Sequence, residues 1–516
     1  MTDSTAHAVA ETAARHVGGR KWFALTVLAL PALLASLELT ITNLALPSIA
    51  RDLPATSGQL LWTVDIYAFV LAGCLILMGA WGDRVGPRRV LLVGAAGYGC
   101  ASLLAAYAGS IEVLIAARAL MGVAGATLMP SILSLIAGLF VDPKQRATAI
   151  AAIVATISGG TALGPLVGGW LLDHFRWGSV FLLAVPVIVV TLVAVPLVVP
   201  GRSGARGGRL DVPSALLSIA AILAVVQGIK QMLTLGWSWW AAVAVLAGVL
   251  LAGAFVARQR RLAAPLVDLS LFGNRTFALA GASLGLGIFV LWGSNYAIAQ
   301  YLQLVLGLSP LTAGLWTAPS ALGVILGSSV APHLARHVRP MLIIAIGLLV
   351  TGAGYLILTR VGGTGSLPIL IGGALIVSAG LGPLMALSND LMIGAAPPHR
   401  SGRAAAVAST ISQLGGALGI ALLGGVITAT YRFRVAGTVP GDTSPAVVAL
   451  FEENLSAAGR AAAPVPAPLA DDLLGRAREA FTDGFQVAAG LSALLVIAAA
   501  SLLLLFGRPR PQRGAT

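Results

Sequence analysis

Runs of about 20 apolar residues recur along nearly the whole chain, and no other feature restricts its fold as strongly. A helix needs about 20 such residues to cross the hydrocarbon core of a bilayer. Fourteen stretches of that kind are legible between residues 22 and 506. A chain of 516 residues that is 58% apolar and 10% charged has too little polar surface to clothe a water-soluble core. The fold class expected is all-α integral membrane. The polar first 21 residues lack a short apolar run with a small-residue cleavage site, so no cleavable leader is expected.

The net charge of +13 would suit a nucleic-acid binder, but the basic residues are scattered over loops and form no soluble basic domain. No nucleic-acid partner is expected. Cys74 and Cys100 both fall in apolar runs and read as small hydrophobes, not as a disulfide.

Sidedness follows from Lys and Arg, which favour the cytoplasmic side. With the N-terminus inside, 22 of the 32 basic residues face inward, and the short outer loops hold only Arg51, Arg176 and Arg360. Both termini are therefore expected in the cytoplasm. The expected organisation is a cytoplasmic tail (1–21), a six-helix half (22–199), a two-helix insertion (200–276), a second six-helix half (277–506) and a cytoplasmic tail (507–516). Within the second half, residues 430–483 form a long outer loop. It has a helix start at Ser444-Pro445 and an apolar stripe at Leu469, Leu473, Ala477 and Phe481, and is expected to lie as a flap against the outer mouth.

Between the second and third runs stands Gly79-Ala-Trp-Gly82-Asp83-Arg84-Val-Gly86-Pro87-Arg88-Arg89. The glycines admit close helix approach and Gly86-Pro87 is turn chemistry. An anchoring loop explains the arginines, but not the aspartate or the glycine spacing. Gly323-x3-Gly327 followed by His333, Arg336 and Arg339 echoes it in the second half. Such repeats mark transporter halves that rock about a central site.

Of 19 acids only Glu38, Asp65 and Asp390 lie well inside the runs. An ionised carboxylate in hydrocarbon is costly, so it faces a cavity, finds a partner or takes up a proton. Glu38, Asp65 and Arg118 fall at comparable depth and are expected to share an aqueous pocket, with Asp390 near the inner mouth. Trp292, Tyr296, Gln300 and Gln303, at i, i+4, i+8 and i+11, place a polar-aromatic face on the ninth run, as helix glue or as cavity lining for planar cations.

The charged turn resembles the G-x-x-x-D-R-x-G-R-[RK] loop of the major facilitator superfamily, with Pro87 where that family usually has arginine. Leu114-x3-Arg118-x3-Gly122-x2-Gly125 resembles its buried-arginine motif, associated with proton transfer. Gly160-x3-Gly164-Pro165-x2-Gly168-Gly169 resembles the motif that separates antiporters from importers. Leu37-Glu38-Leu-Thr40-Ile-Thr-Asn43-Leu-Ala45-Leu46-Pro47 resembles the first-helix motif of the fourteen-helix drug:proton antiporters, with Glu38 where aspartate is usual. Trp62-x2-Asp65-x-Tyr67, His174-x2-Trp177, Gly307-x-Ser309-Pro310 and Ser388-Asn389-Asp390 resemble the branch exporting quaternary ammonium compounds, cationic dyes and fluoroquinolones. Ser409 and Gln413 stand where some relatives carry glutamates.

The resemblance implies a monomeric antiporter of the bacterial inner membrane that exchanges protons for lipophilic, cationic drugs. Glu38, Asp65, Arg118 and Asp390 would serve coupling and substrate, and Gly79 to Arg89 would act as a conformational latch. An exporter dedicated to one natural product is the alternative; an importer or a membrane enzyme fits less well. The six histidines lie outside the runs, and His333-x3-His337 lacks a third ligand. No cofactor is expected, and no G-x4-G-K-[ST] nucleotide motif occurs, which leaves the proton gradient as driving force.

Overall fold

The computed structural model describes residues 2–201, 211–262, 265, 267–363, 365–397, 401–436, 445–462 and 467–506. Its helices are α1 (Thr2–Asp52), α2 (Ser57–Val85), α3 (Pro87–Ala106), α4 (Ile111–Gly125), α5 (Leu128–Leu139), α6 (Pro143–His174), α7 (Ser179–Leu182), α8 (Ala184–Val198), α9 (Val212–Leu235), α10 (Trp239–Arg261), α11 (Arg275–Gln300), α12 (Pro310–Leu334), α13 (Pro340–Leu358), α14 (Leu367–Gly394), α15 (Ser401–Val435), α16 (Pro445–Glu453), α17 (Leu455–Ala462) and α18 (Ala467–Phe506). Among the described residues there are no strands, and fourteen helical segments are long and apolar enough to cross a membrane. The protein is a multi-pass membrane protein.

Helix starts follow local chemistry. Thr56 and Gln59 form a reciprocal capping box on α2, Asp142 with Pro143 opens α6, and Ser309 with Pro310 opens α12. Prolines also explain two interruptions. Pro130 has no amide to give the Ala126 carbonyl and Pro186 none for Leu182, so the fourth and sixth crossings split into α4–α5 and α7–α8. The ninth crossing ends in a π turn at Tyr301–Val305.

The expected halves appear as two apolar clusters. One draws on residues 24–199, the other on 271–503; each takes in one residue of the opposite half, Ile420 and Leu44 respectively. The inserted pair α9–α10 packs backbone to backbone. A Cβ on Gly228 would meet the Ala241 carbonyl at 2.7 Å, and one on Gly248 the Val225 amide at 2.7 Å. Helix α9 lies against both α2 and α15, while α10 lies on α9. Outward-facing Leu120, Val193, Leu246, Leu326 and Leu494 form part of the surface that lipid would cover.

The loop expected at 430–483 differs from expectation. α15 extends to Val435, and the stripe Leu469–Phe481 is no separate helix but the first part of α18, continuous with the last crossing because no proline separates them. Only α16 and α17 stand apart. They bridge the two halves: Ser57 Oγ of α2 donates to the Glu453 carbonyl (2.6 Å), and Tyr431 OH of α15 donates to the Phe451 carbonyl (2.8 Å). Ser444, the tail 507–516 and the stretch 202–210 lie outside the described residues. The N-terminal stretch expected as a tail is continuous with α1.

Candidate functional site: two buried ion pairs between helices

Four side chains of α2 divide by helical spacing into two faces. Tyr67 faces Arg118 of α4; Trp62, Asp65 and Phe69, at i, i+3 and i+7, face α9 and α15. Each face closes on a buried charge.

On the first face Arg118 of α4 pairs with Glu38 of α1 through Nη1 and Oε1. Its Nε donates to the Thr63 carbonyl at 3.0 Å, and the guanidinium lies 4.4 Å from the centre of the Tyr67 ring. Phe181 covers it further, at 5.8 Å. Glu38 is 4% exposed and Arg118 1%, so neither charge is screened by water. Glu38 Oε2 has no hydrogen-bond partner. The pair therefore retains an acceptor that a proton could take.

On the second face Asp65 Oδ2 accepts from Lys230 Nζ of α9 at 2.9 Å. The ammonium lies 4.8 Å from the centre of the Trp62 ring. Trp62 is held there by its Nε1, which donates to Gln227 Oε1 at 2.7 Å. Tyr296 of α11 packs instead against the Gly424 position of α15. Trp62, Phe69, Val226, Trp292, Ala417 and Ala421 form a shared apolar cluster, so α2, α9, α11 and α15 meet here.

Glu38, Arg118 and Asp65 thus do not share one pocket: Asp65 leaves α2 on the other face and finds its own cation. Asp390 is brought to neither pair and stands exposed on α14. Of the polar-aromatic face, Trp292 packs on Gly416 of α15, and Tyr296 and Gln300 line a cavity of about 50 Å³ beneath α17. Gln300 Nε2 donates to the Asn43 carbonyl (3.3 Å) and Gln303 Nε2 to the Leu44 carbonyl (3.1 Å), both in α1 of the opposite half. That cavity is far below the roughly 300 Å³ of a drug-sized site, and the two glutamines tie α11 to α1 across this end of the bundle.

The glycine series of α6 seats two neighbours, one in each half. Gly160 faces Ser36, Gly164 faces Thr40 and Gly168 faces Ile41, so α1 is drawn down onto α6 beside Glu38. Gly169 faces the other way: a Cβ there would meet Pro310 O at 2.7 Å and Leu311 Cα at 2.6 Å in the opposite half. Gly314 of α12 rests in turn on the Pro165 carbonyl. Asp173 accepts from Ser309 at 3.0 Å just beyond.

The charged turn sits at the opposite end. Gly86 takes φ of 106°, a left-handed conformation that a side chain resists, and it joins α2 to α3 without a linker. Gly79 faces Pro130 and Gly82 faces Pro87 and Ser131. Arg88 Nη2 donates to the Pro196 carbonyl at 2.8 Å, while Asp83, Arg84 and Arg89 are exposed. Among the described residues neither Asp83 nor Arg84 makes an ion pair. Although Asp83 reaches solvent, desolvation by the surrounding turn holds its carboxyl above its ordinary pKa.

Two helical halves tied together at one end, with buried charges between crossings, are the architecture of a membrane transporter. Residues 28–420 match the family model for the Major Facilitator Superfamily, and the chain belongs to that family. The multidrug efflux pump LfrA of Mycolicibacterium smegmatis is 41% identical over 484 residues, 94% of this chain and 96% of that protein. The methyl viologen resistance protein SmvA of Salmonella typhimurium is 32% identical over 479 residues, 91% and 94% of the two chains. A solved bacterial homolog of the human lysosomal transporter Spinster, inward-facing and unoccupied, superposes with a TM-score of 0.64 at 18% identity, covering 95% of this chain and 99% of that one. At that identity the likeness bears on the fold alone.

Lys230 escaped the sequence reading as a partner. The signal was present: it is the one lysine inside an apolar run, three residues from the outer end of its run, near the expected depth of Asp65.

Proposed function

We propose that this chain exports lipophilic cationic drugs across a bacterial inner membrane in exchange for protons, acting as a monomer with both termini in the cytoplasm. The observation carrying the reading is the pair of buried carboxylates, Glu38 and Asp65, each held by one cation on a different helix and each with one oxygen unpartnered. A carboxylate in such surroundings is neutralised by a bound cation or by a proton, and the two exclude one another. Methyl viologen is a dication, and resistance to it in SmvA supports a cationic cargo here. Glu38 with Arg118 is assigned the proton and Asp65 the drug cation. Asp390, on the turn-end stretch of α14, is assigned to the cytoplasmic approach.

In the assigned orientation the end where the halves are tied is the periplasmic one, and the charged turn is cytoplasmic. Asp83 and Arg84 then find partners in the opposite half only when the cytoplasmic side closes, which makes the turn a latch for the other state. Asp83→Asn is expected to cut dye efflux several-fold at unchanged membrane yield; wild-type efflux would reduce the turn to an anchor.

The function is tested by expressing the chain in a pump-deficient bacterial host. Resistance to methyl viologen, ethidium and quaternary ammonium biocides should rise, and dye efflux should stop when an uncoupler is added with ATP still present. Unchanged susceptibility to every cation tested would refute the reading.

A further inference from the structure

The geometry points to Lys230 as a tethered stand-in for the drug: its ammonium occupies a cation site built by the Asp65 carboxylate and the Trp62 ring, and cargo must displace it. The inference rests on the proposed cation export and assigns its binding site.

Everything a small organic cation requires is assembled around that ammonium. A carboxylate oxygen lies 2.9 Å away and an aromatic face 4.8 Å away. Aromatic faces attract cations most strongly when water is excluded, and here Asp65 is fully buried and Lys230 only 3% exposed. The second carboxylate oxygen, Oδ1, is buried without a partner, so the acid is not saturated by its lysine. Among the described residues the charged side chains at the site are Asp65 of α2 and Lys230 of α9, and the titratable Tyr296 of α11 stands on the neighbouring helix. The nearby stretch of α15, Leu414–Ala421, carries none, and the charges of α10 lie at its far end, Arg258 onward.

A purely structural pair would be an odd choice for this position. Two buried charges seldom outperform apolar side chains of the same volume. A lysine, in contrast, is a compact charge on a flexible four-carbon stem, able to leave without moving its helix. While it is docked, Asp65 is neutralised and α9 is drawn onto α2; when a drug cation takes the carboxylate, the ammonium must withdraw. Lys230 thus sets a threshold of affinity that a cation must exceed, and confines high affinity to cargo that is also aromatic or apolar enough to use Trp62 and the apolar cluster around it. The inserted helices gain a role in recognition by this route.

The test is calorimetric binding of tetraphenylphosphonium, a lipophilic monovalent cation, to the purified full chain in lipid nanodiscs. Lys230→Gln, whose amide still donates to Asp65, and Lys230→Met are expected to bind it about tenfold more tightly than wild type, since close buried charge pairs couple by more than about 1.4 kcal/mol. Lys230→Arg keeps the competitor and should stay within about twofold of wild type, a threshold small beside that tenfold gain. Asp65→Asn should remove most of the affinity both alone and combined with Lys230→Gln. If both neutral variants bind no more tightly than wild type, or if the double variant keeps the tight binding, the inference is overturned while cation export stands. If neither wild type nor any variant binds the probe, the export reading falls with it.

Discussion

Glu38→Gln abolishes uphill dye export, whereas Glu38→Asp keeps a substantial part of it: this is the first of the two largest effects expected. The amide cannot exchange a proton, and it leaves Arg118 buried with no counter-charge. Breaking a buried pair from one side costs about 3–5 kcal/mol, so the glutamine variant should also melt earlier in detergent. Stability and coupling can be separated. Glu38→Gln with Arg118→Met leaves no bare charge in the site, and should regain stability without regaining export. Aspartate keeps the carboxyl on a shorter arm, and Arg118 remains fixed by the Thr63 carbonyl and the Tyr67 ring whichever acid is present. Equal export by the glutamine and aspartate variants would make Glu38 a structural residue. Gradient-driven dye efflux and thermal melts of the four proteins decide it.

Gly169→Val is the second. The added side chain would collide with the backbone of Pro310 and Leu311, which unlike a flexible side chain cannot swing aside. Overpacking costs about 1–3 kcal/mol, and here the cost falls only on the state with this mouth closed. A penalty of that size shifts the balance of the two states by roughly 5- to 150-fold. Efflux should fall accordingly at normal yield, with Gly169→Ala in between. Cysteines at Asp173 and Ser309, in a background lacking Cys100, report the state directly: their cross-linking should be fast in the parent and slow in the valine variant. Fast cross-linking in both would show that α6 and α12 do not gate this end.

The glycine series was legible in the sequence as a motif, but not its two-sided use. Gly160, Gly164 and Gly168 repeat at the helical spacing that seats one partner, α1. Gly169, one residue on, points about 100° away and meets a helix 140 residues downstream, a relation no local pattern encodes. The crossings themselves were readable because each apolar run is long enough for the bilayer independently of its neighbours. The split of the fourth and sixth could have been read from Pro130 and Pro186. The pairing of charges was half readable. Depth along each run put Glu38, Asp65 and Arg118 in one group, but azimuth separates Asp65 from the other two: Asp65 and Tyr67 are two residues apart on α2, about 200° around the helix, and so serve different neighbours. Placing α9 beside α2 takes the tertiary packing of the insertion, which lies outside the internal repeat.

The account's central claim is that a proton gradient moves a cation through this bundle, and reconstitution tests it most directly. The purified chain is placed in liposomes with a pH step across the membrane, and accumulation of ethidium against its own gradient is followed by fluorescence. Uphill accumulation should appear only with the pH step in the coupling direction, collapse on adding a proton–potassium exchanger, and be missing with Glu38→Gln. Ethidium that merely equilibrates, at the same rate whatever the pH step, would contradict it.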